Sequence, residues 1–115
     1  MDLINRCVAV VKAKQPFLTW ANGLPDGGAK TTLDRVNSDS HVYLLPEYAM
    51  DDEREELLRE FYEVIFEREL MGWCTDPRTH PTPRTFDMFL KWFAVEFHSM
   101  VFDLLDDEAI EHEPA

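Results

Sequence analysis

The chain has 115 residues, of which 45% are hydrophobic, and its net charge is −12. This length is typical of one domain and allows a hydrophobic core without disulfides. The charge argues against direct binding to nucleic acid or to an anionic membrane surface, because both depend on Lys and Arg meeting phosphate groups. A basic protein surface, or solubility alone, fits the acidic composition.

The sequence predicts a cytoplasmic protein. No run of about 18 uncharged apolar residues is present, and the N-terminus lacks the basic and apolar regions of a signal peptide. The only cysteines, Cys7 and Cys74, could form one disulfide at most. Without an export signal, we expect both to be reduced thiols.

Short strands and helices are predicted in the first half of the chain. Residues 6–12, RCVAVVK, favour an inner strand because valine prefers β structure, although their apolar positions also fit one face of a helix. Pro16 suits the first turn of a helix that ends near Gly23. Residues 25–28, PDGG, predict a flexible turn.

A second strand is predicted after another short helix. Thr32 can cap a one- to two-turn helix, and a polar turn follows it. Residues 41–45, HVYLL, have the apolar and β-branched composition of a strand, and Pro46 is expected to end it. We expect the two strands to pair.

A long helix is predicted from Asp51 to an end at Gly72. Asp52 and Glu55 have the spacing of a capping box at its start. Its apolar residues are expected to form one buried stripe, made of Leu57, Leu58, Phe61, Val64 and Ile65. Its other side carries glutamates at helical spacing, here called the acidic face: Glu56, Glu60, Glu63 and Glu67.

Residues 86–105 are the longest apolar-dense stretch and contain neither Gly nor Pro. On a helix their apolar side chains would occupy two opposite sides, which indicates burial on both. Thr85 is the predicted N-cap. We expect a helix to about Val95 and a strand over residues 97–105, because a two-stranded sheet is marginal alone; a helix continuing to residue 105 is the alternative.

Together these elements predict an α+β fold, with a small two- or three-stranded antiparallel sheet packed against the long acidic helix and a C-terminal aromatic-rich helix. Residues 1–105 are expected to form a single domain, and residues 106–115 an acidic, frayed tail. A homodimer is a further possibility, because pairing across a two-fold axis would supply a third strand.

The loop at residues 73–84 contains three prolines and gathers side chains suited to chemistry. Cys74 and His80 are candidates for a nucleophile and its base, although a Pro-rich loop does not by itself bring them together. Arg78 is expected to meet the carbonyl end of the long helix.

Glu96 and His98, within the aromatic stretch, are further candidates for acid–base chemistry. In a strand they would share one face, whereas in a helix Glu96 would share a face with Ser99 and Asp103. A hydrogen-bonded core histidine is the other interpretation of His98. The ligand spacings of zinc sites are absent, so no metal and no cofactor are expected.

Four segments carry a resemblance to known proteins: KQPFLTWANGLP, VYLLPEY, GWCTD and FHSMVFDL. They resemble a group of small acidic bacterial proteins of unassigned function, and together they span most of the chain. The resemblance implies a bacterial cytoplasmic α+β domain. It implies no activity and no catalytic residue.

Two hypotheses about function follow. The first is a non-catalytic binding or regulatory domain that meets a basic protein through the acidic face, or that mimics nucleic acid with spaced carboxylates. The second is a small enzyme whose site lies between residues 73–84 and the Glu96 and His98 region. No sequence motif decides between them.

Overall fold

The structure is a computed structural model that describes residues 1–25 and 30–115. The described helices and strands are β1 (Asp2–Leu3), β2 (Arg6–Ala13), α1 (Gln15–Asn22), α2 (Leu33–Val36), β3 (His41–Pro46), α3 (Glu53–Met71), α4 (Phe86–Trp92), β4 (Phe93–His98) and β5 (Phe102–Asp103). The predicted α+β class is confirmed. Of the turn predicted at residues 25–28, residues 26–28 lie outside the described residues.

The main sheet has three antiparallel strands in the order β3-β2-β4. Val10 of β2 pairs with Val42 of β3 on one side and with Glu96 of β4 on the other, so the inner strand predicted near the N-terminus is confirmed. The short strands β1 and β5 pair with each other next to the main sheet, and the Ile4 N–H donates to the Val101 carbonyl at 2.9 Å. They extend the β2–β4 ladder as a two-stranded ribbon.

The aromatic stretch changes from helix to strand at Phe93. α4 ends at Trp92, earlier than the sequence predicted, and β4 follows at once. The Lys14 N–H donates to the Trp92 carbonyl at 2.8 Å, which brings the chain into register with β2. Pairing with the open edge of β2 then supplies the backbone hydrogen bonds that a longer helix would have formed. A helical face shared by Glu96 and Ser99 is therefore wrong.

Aromatic rings form the centre of the core between the sheet and the helices. Phe66 of α3 lies edge to face with Phe93, their ring centroids 5.3 Å apart, and Phe17 of α1 lies 5.3 Å from the same ring. Phe89 of α4 packs against Phe66 at 5.9 Å. Because these four rings are all buried, they join α1, α3, α4 and the sheet into one unit.

The buried side of α3 differs from the predicted stripe at Val64. Leu58, Ile65, Phe66 and Leu70 are buried, whereas Val64 is 68% exposed. Only the arc of the helix that faces the sheet and α4 is covered, and Val64 lies outside that arc. Its predicted burial is wrong.

The N-terminus of α3 is capped by Glu53 rather than by the predicted capping box. Asp52 has helical backbone angles and makes no side-chain cap, so its expected pairing with Glu55 is wrong. Instead, Glu53 Oε2 accepts hydrogen bonds from the Ala49 N–H at 2.6 Å and the Met50 N–H at 3.1 Å. The side chain reaches back to the loop and closes the turn before the helix.

These two hydrogen bonds predict a pH-dependent contribution of Glu53 to stability. The Met50 and Ala49 N–H groups hold the pKa of Glu53 below its usual range. The cap is therefore fully present above the ordinary glutamate pKa of the unfolded chain and is lost as the pH falls through the lowered value. We expect the difference in free energy of unfolding between wild type and Glu53→Gln, measured in urea from about pH 7 to about pH 3, to shrink with acidification. A difference independent of pH would contradict this assignment.

Candidate functional site

The acidic face of α3 lies opposite the core. Leu58 and Ile65 are buried on one side of the helix, and all four glutamates of the acidic face are exposed on the other. The face extends roughly 16 Å along the helix axis. Within residues 1–25 and 30–115, none of the four takes part in an ion pair, because the paired arginines of α3 lie beside Asp51 and Glu55.

An apolar patch adjoins the acidic face. Val64 is exposed next to Glu60, Glu63 and Glu67, one helical turn or less away from each. Together with Arg68 and Met71, Val64 and Glu67 line a depression of about 220 Å³. Val64 thus places an exposed apolar side chain at the border of the acidic face.

His80 meets Cys74 through the backbone rather than through the thiol. His80 is 8% exposed, and its Nε2 donates to the Cys74 carbonyl at 2.7 Å, which places the proton on Nε2. Its ring packs against Trp20 at 6.0 Å between centroids. His80 is thus a buried, hydrogen-bonded histidine, and its described contacts do not include the Cys74 sulfur. Both Cys7 and Cys74 are free thiols.

Arg78 pairs with Asp76 and not with the end of α3, so that prediction is wrong. Its Nε and Nη2 donate to the Asp76 carboxylate at 2.9–3.2 Å, and its backbone N–H donates to Asp76 Oδ1 at 3.0 Å. The guanidinium holds the pKa of Asp76 below its usual range. Pairing with a residue two positions away fixes fewer rotatable bonds of the chain than reaching the end of α3 would. At that helix end, the Leu70 carbonyl already accepts a hydrogen bond from the Cys74 N–H at 3.0 Å.

Glu96 and His98 share the exposed face of β4, as predicted for a strand. His98 Nε2 lies 3.8 Å from Glu96 Oε2, while Lys12 Nζ lies 2.9 Å from Glu96 Oε1. Lys12 holds the pKa of Glu96 below its usual range. Because this face of the sheet is uncovered, the core position considered for His98 is wrong. Among the described contacts, His80 and His98 have separate partners and do not meet.

A pocket of about 270 Å³ at the C-terminal end of α3 was not predicted from the sequence. Its residues come from β2, α1, the segment before β3, and the end of α3: Val11, Ala13, Phe17, Val36, Asn37, Asp39, Ser40, His41, Glu69, Gly72 and Trp73. The lining combines the apolar residues Val11, Ala13, Phe17 and Val36 with polar residues from the segment 37–41 and with Glu69.

Three side chains meet beside this pocket. His41 Nδ1 lies 2.6 Å from Glu69 Oε2, and the Tyr43 hydroxyl donates to the same oxygen at 2.5 Å. Since an ionised carboxylate only accepts, His41 carries its proton on Nδ1. Burial, reinforced by the bond to Glu69, raises the pKa of Tyr43, so the hydroxyl remains a donor at neutral pH.

A partial signal for this group was present in the sequence. His41 and Tyr43 are two residues apart in a predicted strand and must share a face. Glu69 lies on the same side of the predicted helix as Ile65, which was expected to be buried. The two pairs are far apart along the chain, so only the packing of α3 on the sheet brings them together.

Within the part of the chain that the structure describes, no three His, Cys, Asp or Glu side chains converge as a metal ion requires. None of the helices in that part combines the length and apolar content that crossing a membrane needs.

Comparison with known proteins found no matching family model, no matching curated protein and no matching solved structure.

Proposed function

We propose that this chain is a cytoplasmic, non-catalytic binding or regulatory domain that meets a basic protein through the acidic face of α3. One observation supports the proposal above the others. Four glutamates are exposed together on the side of a helix whose opposite side is buried in the core. Charges held on an anchored helix keep their spacing, so a basic partner surface can match them without first ordering them.

In this interaction the charge brings the partner close, and apolar contact stabilises the complex. With a net charge of −12, the chain attracts a basic partner over distances of about one Debye length and speeds its approach. Exposed carboxylates contribute little affinity once water surrounds them, so a stable complex also needs apolar contact. Val64, exposed beside the acidic face, supplies it.

The enzyme hypothesis stays a prediction, as does the homodimer. A site between residues 73–84 and the Glu96 and His98 pair would need these groups to converge. Their described hydrogen bonds and ion pairs instead hold His80 to Cys74 and Glu96 to Lys12. We therefore place the binding hypothesis first.

The test is partner capture by a charge-neutral acidic face. A variant that combines Glu56→Gln, Glu60→Gln, Glu63→Gln and Glu67→Gln is expected to lose the partner that the wild type captures at low salt. Wild-type capture is also expected to fall as the salt rises from about 0.01 M to about 1 M, because the Debye length shortens from roughly 30 Å to roughly 3 Å. The measurement is a pull-down on the immobilised protein at both salt concentrations, with captured proteins identified by mass spectrometry.

A second variant with the same change of net charge separates the acidic face from overall charge. It combines Asp107→Asn, Glu108→Gln, Glu111→Gln and Glu113→Gln, all exposed and outside any helix or strand. We expect it to capture the same partner as the wild type. Equal loss in both variants, or salt-insensitive capture by the acidic-face variant, would refute the proposal. Removing like charges at helical spacing relieves repulsion along α3 and offsets the favourable dipole interaction lost at Glu56 in the first turn, so the variant should remain folded.

A further inference from the structure

We propose that the pocket at the C-terminal end of α3 binds a small organic cation, namely an alkylammonium or guanidinium group carried on a short apolar chain. This site lies apart from the acidic face and does not depend on it. Three properties of the pocket point to such a ligand: its charge, its free hydrogen-bond acceptors and its apolar lining residues.

The charge of the pocket is negative. Asp39 and Glu69 contribute two carboxylates, of which Glu69 contacts His41 through Oε2, and no Lys or Arg is among the described residues that line the pocket. Gly72, which also lines the pocket, follows the last turn of α3 and therefore lies at the negative end of the helix dipole. An anionic ligand would be repelled here, whereas a cation is attracted by all three contributions.

The two carboxylates of the pocket supply only hydrogen-bond acceptors. Glu69 Oε2 already accepts from Tyr43 and His41, while Oε1 accepts from no described residue. Every fully buried side-chain polar atom in the described residues has a partner, so Glu69 Oε1 is open to solvent or ligand. Ammonium and guanidinium groups are pure donors and match this set.

The rest of the pocket suits a short apolar chain. Val11 and Phe17, which line the pocket, are almost fully buried, and Trp73, 45% exposed, adds an indole ring with which a cation can also interact. A volume of about 270 Å³ corresponds to roughly nine water molecules. The ligand is therefore small. It could be a free amine or the side chain of a lysine or arginine on another protein, because both present the same chemistry.

The test is an NMR titration of the whole isotope-labelled chain with n-butylammonium and n-butylguanidinium, and with n-butanol as the neutral control. Saturable shifts are expected at the amides of Ser40, His41 and Gly72 and at the Trp73 indole N–H, with no comparable shifts from n-butanol. Glu69→Gln removes a charge-assisted hydrogen bond, so binding should weaken by at least about tenfold.

Two further variants keep the test decisive. Asp39→Asn removes the other carboxylate from an exposed position and should weaken binding even if Glu69→Gln disturbs the fold. Glu63→Gln, on the acidic face, should bind n-butylammonium as the wild type does. A peptide with one lysine distinguishes the two sources: binding at least as tight as that of the free amine assigns the pocket to a side chain, and weaker binding assigns it to a small molecule.

Three results would overturn the proposal. They are the absence of saturable shifts at these pocket groups, equal binding of n-butanol, and wild-type affinity in both Glu69→Gln and Asp39→Asn. Binding that is lost in Glu63→Gln alone would move the cation to the acidic face. Failure of the pocket leaves the partner-capture experiment unaffected, because that experiment changes different residues.

Discussion

Phe66→Ala is expected to lower the free energy of unfolding by about 3–5 kcal/mol. Phe66 is fully buried, and its ring contacts Phe89, Trp92 and Phe93 at centroid distances of 5.9, 5.5 and 5.3 Å. Alanine removes the apolar contact and leaves a cavity that rigid aromatic neighbours cannot fill. For a domain of this size the loss is a large share of the roughly 6–17 kcal/mol expected in total.

Urea denaturation measures this loss as a shift of the midpoint at constant slope. Phe102→Ala is the matched control, because Phe102 is 50% exposed on β5 and should cost less than about 1 kcal/mol. Equal effects of the two substitutions would contradict the assignment of Phe66 to the centre of the core. Since Phe66 anchors α3 to the sheet, the destabilised variant should also hold the glutamates of the acidic face in less fixed positions.

Asn37→Ala is expected to lower the free energy of unfolding by about 1–3 kcal/mol. Asn37 Oδ1 accepts from the Ala13 N–H at 2.8 Å, and Asn37 Nδ2 donates to the Ala13 carbonyl at 3.0 Å. The β2–β3 ladder ends at Val11 and His41, so the side-chain amide takes the place of a strand that does not reach Ala13. Alanine would leave both half-buried backbone groups without this partner.

Asn37→Asp separates the two hydrogen bonds by pH. The carboxylate can still accept from the Ala13 N–H, but it cannot donate to the carbonyl and it repels that oxygen. The protonated carboxyl regains a donor, so the Asp variant should recover stability relative to the wild type as the pH falls, while the Ala variant should not. Urea denaturation of the three proteins at neutral and acid pH measures this, and parallel pH profiles would contradict it.

The sequence predicted part of the acidic face and almost nothing of the pocket. Glutamates at helical spacing imply a shared side of α3 wherever the helix packs, and all four are exposed. Val64 was misplaced because periodicity locates the apolar side of a helix only to within about one residue, or about 100°. The contact of His41 with Glu69 joins a strand to a helix, and no local pattern specifies which distant side chains meet.

By itself, the sequence determined the α+β class, the valine-rich inner strand, the ends of α1 near Pro16 and Gly23, and the long helix ending at Gly72. These features follow from backbone preferences and side-chain spacing within a few residues. Only the tertiary structure decided that the chain leaves α4 at Phe93 and that Glu69 lies beside His41. Both outcomes depend on which surfaces the fold covers. The open edge of β2 and the partly buried Glu69 carboxylate find hydrogen-bond partners only in groups that packing brings from elsewhere in the chain.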